Sequence, residues 1–67
     1  MNIILNNREE QFAEPQMTIT ELLKAKTFSF KMLVIKINGQ LIKKGDYENA
    51  LVHDGDNVMV LHLISGG

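Results

Sequence analysis

Apolar side chains fall along this chain in short bursts separated by polar turns, and the spacing inside each burst changes from one to the next. Asn2-Ile3-Ile4-Leu5 is a β-branched run that predicts a first strand. Asn6-Asn7-Arg8-Glu9 reads as a turn, and Glu10-Gln11-Phe12-Ala13 can return beside the first strand as a hairpin. Pro15 lacks an N–H and ends that ladder. The period then shifts. Ile19, Leu22 and Leu23 lie at i, i+3 and i+4, one face of a helix. Thr18 stands three residues before Glu21, the spacing at which each side chain can serve the other's backbone N–H in a capping box. Lys24 and Lys26 fall near the helix end, where cations suit the dipole.

Thr27 to Lys31 fits either an extended lead-in or an irregular loop, with Phe28 and Phe30 alternating against polar residues. Met32 to Ile37 reads as a strand, with Leu33, Ile35 and Ile37 on one face and Val34 and Lys36 on the other. Asn38-Gly39 is the strongest hairpin signal in the chain, because both residues tolerate φ > 0 in a type I′ turn. Gln40-Leu41-Ile42 pairs back, and Tyr47 to Val52 is irregular or a single helical turn. After the Asp54-Gly55-Asp56 turn, Asn57 to Ile64 forms the last strand.

The order strand, strand, helix, strand, strand, strand predicts a two-layer α+β domain. A mixed sheet of four to five strands carries one main helix on one face. If the last strand lies parallel to the first, the intervening chain supplies the crossover. Residues 1-64 form this domain and residues 65-67 a flexible tail, since Gly-Gly beyond the last strand has no ladder partner. Along the last strand, Met59, Leu61 and Leu63 share one face and Val58, Val60, His62 and Ile64 the other. One helix cannot cover both. Leu61 and Leu63, with Ile64 beside the tail, are therefore the candidate partner-binding residues.

Charge and composition narrow the function. Seven basic and eight acidic residues give a net charge of -1. That balance excludes a nucleic-acid binder driven by phosphate neutralisation and a polybasic membrane patch. The longest apolar runs are far short of a membrane span, and no basic start leads into an apolar signal segment, so a cytoplasmic protein is expected. With no cysteine there is no disulfide, thiolate nucleophile or thiolate-bound metal. Sixty-seven residues leave little material for both a core and a deep catalytic cleft. The composition favours a carrier or binding module over an enzyme, and no nucleophile, acid–base pair or phosphate loop is recognisable.

His53-Asp54-Gly55-Asp56 brings together metal-ligand residue types, but adjacent positions on a turn diverge, so the segment reads as a solvated turn. His62 has no spaced acid or nucleophile and receives no role; Lys43-Lys44 reads as a solvated turn. The tail is more informative. Glycines Gly66 and Gly67 follow directly on a long strand. A backbone without Cβ atoms can thread a narrow channel, and it leaves the Gly67 carboxylate sterically bare. ATP can activate such a carboxylate by adenylation, after which a sulfur or nitrogen nucleophile displaces AMP. The domain is then a handle and the catalysis belongs to a partner.

Ile37-Asn38-Gly39, Gly55-Asp56-Asn57-Val58 and Ile64-Ser65-Gly66-Gly67 together resemble the ThiS sulfur-carrier family, as does the helix start Thr18-Ile19-Thr20-Glu21-Leu22-Leu23. The likeness covers nearly the whole chain. It implies the ubiquitin-like β-grasp fold, which fits the element order. It also implies that a ThiF-type enzyme uses ATP to adenylate Gly67, that a sulfur donor protein converts it to a thiocarboxylate, and that a ThiG-type thiazole synthase takes the sulfur for thiamin. Gly66 and Gly67 match the family's reactive tail, and Ser65 stands where another small residue is usual. No bound cofactor and a monomeric free state are expected. Ile42-Lys43-Lys44 and Tyr47 depart from a common Val-Pro-Arg-like segment and Trp, which bears on partner specificity more than on fold.

Three other readings share the tail. A MoaD-like small subunit of molybdopterin synthase has the same fold, but such chains are usually longer and often carry Pro before the tail. A protein modifier would join Gly67 to a lysine. In a plain β-grasp interaction module the glycines are incidental, and loss of Gly67 leaves function intact.

Overall fold

The computed structural model describes residues 1–28 and 32–62. Strand β1 (Asn2–Leu5) turns into β2 (Arg8–Gln11) through Asn6 and Asn7, which have φ of 51° and 66°. Leu5 pairs with Arg8, so two residues make the turn. The second strand therefore begins two residues before the expected Glu10 and ends at Gln11 instead of Ala13. Two successive asparagines tolerate the left-handed backbone that a tight hairpin needs, so Arg8 and Glu9 are free to join the ladder.

Strand β3 (Gln16–Thr18) leads directly into helix α1 (Ile19–Ala25). The capping box is formed. The Glu21 N–H donates to Thr18 Oγ1 at 3.1 Å, and the Thr18 N–H donates to Glu21 Oε1 at 2.8 Å. Ile19, Leu22 and Leu23 are wholly buried. At the other end Thr27 takes φ of 57°. Its N–H donates to the Lys24 carbonyl and the Phe28 N–H to the Leu23 carbonyl, which is a Schellman termination. Phe28 packs against the core, which resolves the start of the Thr27–Lys31 stretch; residues 29–31 lie outside the described residues. A β-branched residue is strained at this φ. Thr27→Gly is expected to stabilise the fold by about 1 kcal/mol. Calorimetry should show the unfolding midpoint rising by roughly 5 °C.

Strand β4 (Leu33–Ile37) and β5 (Gln40–Ile42) form the second hairpin, with Asn38 at φ 52° and Gly39 at 83°, as a type I′ turn requires. A 3-10 turn at Lys44–Asp46 then delivers Tyr47 into the core. Burial pushes its phenol above the usual range. Strand β6 (Leu51–His53) pairs with β3 in a separate two-stranded ladder. Neither β3 nor β6 was expected. Each has three residues, too few for alternation to emerge. Leu51 and Val52 belong to a strand and not to an irregular segment or a single helical turn.

Strand β7 (Asn57–His62) completes a five-stranded sheet in the order β2-β1-β7-β4-β5. It runs parallel to β1 and antiparallel to β4, so the first and last of the described strands meet at the centre. One helix across such a mixed sheet is the β-grasp architecture. Ile3, Leu5, Ile35, Val58 and Val60 line the sheet's inner face and join the three helix residues in one core with Tyr47 and Val52.

Candidate functional site

The site expected from the sequence has two parts, an apolar face and a tail, and β7 carries both. Val58 and Val60 point into the core. Met59 is half-buried and Leu61 is 44% exposed on the opposite face. Cross-strand register puts Val34 beside Leu61, and Lys36 between Met59 and Leu41. Leu41 is 57% exposed. On its β7-β4-β5 side, the outer face of the sheet thus presents Val34, Leu41, Met59 and Leu61 about Lys36. The exposure expected of Leu61 is observed. Leu63, Ile64, Ser65, Gly66 and Gly67 lie outside the described residues.

The polar cluster at His53–Asp56 is occupied by backbone. Asp54 Oδ1 accepts from the Asn2 N–H at 2.6 Å, and Asp56 Oδ2 accepts from the His53 N–H at 2.8 Å. Asp56 Oδ1 accepts from Asn38 Nδ2. Both carboxylates therefore brace the turn that feeds β7. Among the described residues no group of three or more His, Asp or Glu side chains is placed to hold a metal. An open depression borders Glu9, Glu10 and Gly55. It lies where β7 begins, whereas the tail follows from where β7 ends. Among the described residues no helix is long and apolar enough to cross a membrane.

Two asparagines were read only as turn residues, and both hold β7 with their side chains. Asn38 Oδ1 accepts from the Asn57 N–H at 2.9 Å, while the Asn38 N–H donates to the Asn57 carbonyl at 2.7 Å. Asn6 Oδ1 accepts from the Val60 N–H at 2.7 Å, and Asn6 Nδ2 donates to the Val60 carbonyl at 3.1 Å. A carboxamide offers one acceptor and a donor side by side, as a strand neighbour does. The signal was present in the residue type at a φ > 0 turn, but the partners lie too far along the chain to be inferred.

A family model of the ThiS family matches residues 3–67. The chain belongs to the ThiS family. The resemblance carried by Ile37-Asn38-Gly39, the Gly55–Val58 turn and the diglycine is thereby borne out. Two solved structures are similar to it. One is the crystal structure of a thiamine biosynthesis protein (ThiS) from Geobacter metallireducens, with 26% identity, a TM-score of 0.88 and full coverage of both chains. The other is an NMR solution structure of a thiamine biosynthesis protein from Geobacter metallireducens. It has 26% identity and a TM-score of 0.82, covering all of this chain and 88% of that one. No curated protein matches the chain at a significant level. Likeness over the full length of a ThiS structure agrees with the β-grasp assignment.

Proposed function

We propose that this ThiS-family chain is a sulfur carrier for thiazole formation in thiamin biosynthesis. It acts as a protein co-substrate while its partners perform the catalysis. The family match, which extends through Ile64-Ser65-Gly66-Gly67, is the observation that carries the reading. Gly67 supplies the reacting carboxylate. A ThiF-type enzyme directs one of its oxygens onto the α-phosphorus of ATP, with pyrophosphate leaving and an acyl-adenylate forming. The terminal sulfur of a donor protein's persulfide then displaces AMP, and a thiol reduces the resulting acyl disulfide, releasing the thiocarboxylate and leaving a disulfide on the donor side. A ThiG-type thiazole synthase accepts the sulfur. Gly66 and Ser65, small residues, let the tail enter both active sites. Residues 1-64 act as the handle and residues 65-67 as the tail.

Intact-mass analysis after incubation with a ThiF-type enzyme, ATP and a sulfur donor tests the proposal. The expected gain equals the replacement of one oxygen by sulfur. No gain, with the enzyme active on another carrier, would overturn it in favour of a modifier or an interaction module.

Leu61 is the described member of the proposed partner-binding set; Leu63 and Ile64 complete it. The apolar outer face surrounds Lys36, so the complementary partner surface is apolar with an acidic group opposite that ammonium. Leu61→Asp should raise the KM of the adenylating enzyme for the carrier by about tenfold, the usual effect of losing an apolar anchor. Because Leu61 is already 44% exposed, its thermal midpoint should stay close to that of the unmodified chain. A large fall in that midpoint would show that Leu61 supports the fold instead.

A further inference from the structure

Among the described residues, the last hold that β1's side of the sheet has on β7 is a side chain. Strand β1 pairs with β7 through Ile4–Asn57 and Leu5–Val58, and the Asn6 N–H reaches the Val58 carbonyl at 2.9 Å. There the backbone turns away into the β1–β2 hairpin, with Asn6 at φ 51°. Its carboxamide continues the ladder by one more step, taking both the N–H and the carbonyl of Val60 across 54 positions of sequence. On the other flank β4 stays paired as far as His62. Among the described residues, the Asn6 amide is therefore what holds β7 on its β1 flank beyond Val58. Val60 is seven residues from Gly67.

We propose that Asn6 is a positioning residue for sulfur loading: its carboxamide clamps β7 at Val60 and so fixes the point from which the tail is delivered to the adenylating active site. The proposal rests on the sulfur-carrier reading. Without the clamp, β7 is free to loosen on one flank before it reaches the tail. The carboxylate then explores more positions and is less often aligned for attack on ATP. The apolar outer face is formed by the pairing of β7 with β4 and of β4 with β5, neither of which involves Asn6. The first encounter with the partner is therefore preserved.

Asn6→Gly isolates the clamp, because glycine accepts the positive φ without strain while removing both side-chain hydrogen bonds. Thr18→Ala serves as the control, removing a cap of the helix remote from β7. The assay follows thiocarboxylate formation by a ThiF-type enzyme with the carrier as varied substrate, at a temperature where all variants are folded. Amide hydrogen exchange is recorded in parallel. Asn6→Gly should lower kcat by roughly 3- to 10-fold, with KM within about twofold of the unmodified chain. Protection should fall at the Val60 amide while it is retained at Ile35. Thr18→Ala should keep its kcat. If Asn6→Gly does not fold, Asn6→Asp replaces it. The carboxylate keeps the acceptor for the Val60 N–H, loses the donor to the Val60 carbonyl, and should give a smaller fall in kcat.

An unchanged kcat in the Asn6 variant, or an equal fall in Thr18→Ala, overturns the positioning role while leaving the carrier reading standing. Failure of the unmodified chain to gain sulfur overturns the carrier reading, and the proposal with it.

Discussion

Deleting Gly67 is expected to slow thiocarboxylate formation by at least about a hundredfold while leaving thermal stability unchanged. The shortened chain still ends in a glycine carboxylate, so the functional group survives and only its reach is altered. One extended residue spans about 3.5 Å. An adenylating site that holds ATP at a fixed depth tolerates far less displacement than that, since attack requires the reacting atoms to be nearly in contact. The described strands and helix end at His62, five residues before Gly67, so the fold should not register the loss. A time course of intact mass reads the first effect and calorimetry the second. Conversion of the deletion variant at the normal rate would remove the carrier proposal.

Leu22→Ala should unfold a large part of the population. Leu22 is wholly buried on a helix of seven residues, too short to persist without its apolar contacts. Truncating such a leucine costs about 2–5 kcal/mol. A chain of this length has roughly 3–10 kcal/mol of total stability. The loss is thus comparable with the whole margin. Urea titration should show a midpoint far below that of the unmodified chain with a similar slope. A midpoint shifted by only a few tenths of molar would mean that the helix–sheet interface relaxes around the cavity.

The features legible in the sequence are those whose causes are local. Thr18 and Glu21 are three residues apart, and their reciprocal hydrogen bonds follow from that spacing alone. Asn38-Gly39 makes its turn from its own backbone preferences. The faces of β4 and β7 follow from alternation, which placed Ile35, Val58 and Val60 inward and Leu61 outward. What escaped the sequence depends on distant partners. Strands β3 and β6 exist because Met17 faces Val52 across the fold, and neither segment is long enough to announce itself. The Arg8 end of β2 was hidden by a polar run in which turn and exposed strand look alike. Asn6 looked like any hairpin asparagine until Val60 was seen beside it. For the candidate site, the outer face could be read from the pattern of β7, but the clamp on that strand could not.

The central place of β7 also bears on the protein's birth. Strands β1 and β4 are each complete well before Asn57 is added, yet each then has an inner edge with no neighbour. The sheet cannot close until Asn57–His62 has left the ribosome. A nascent chain stalled before Asn57 would display two open edges, the state most prone to pairing with other chains. Fragments ending before Asn57 are therefore expected to collect in the insoluble fraction.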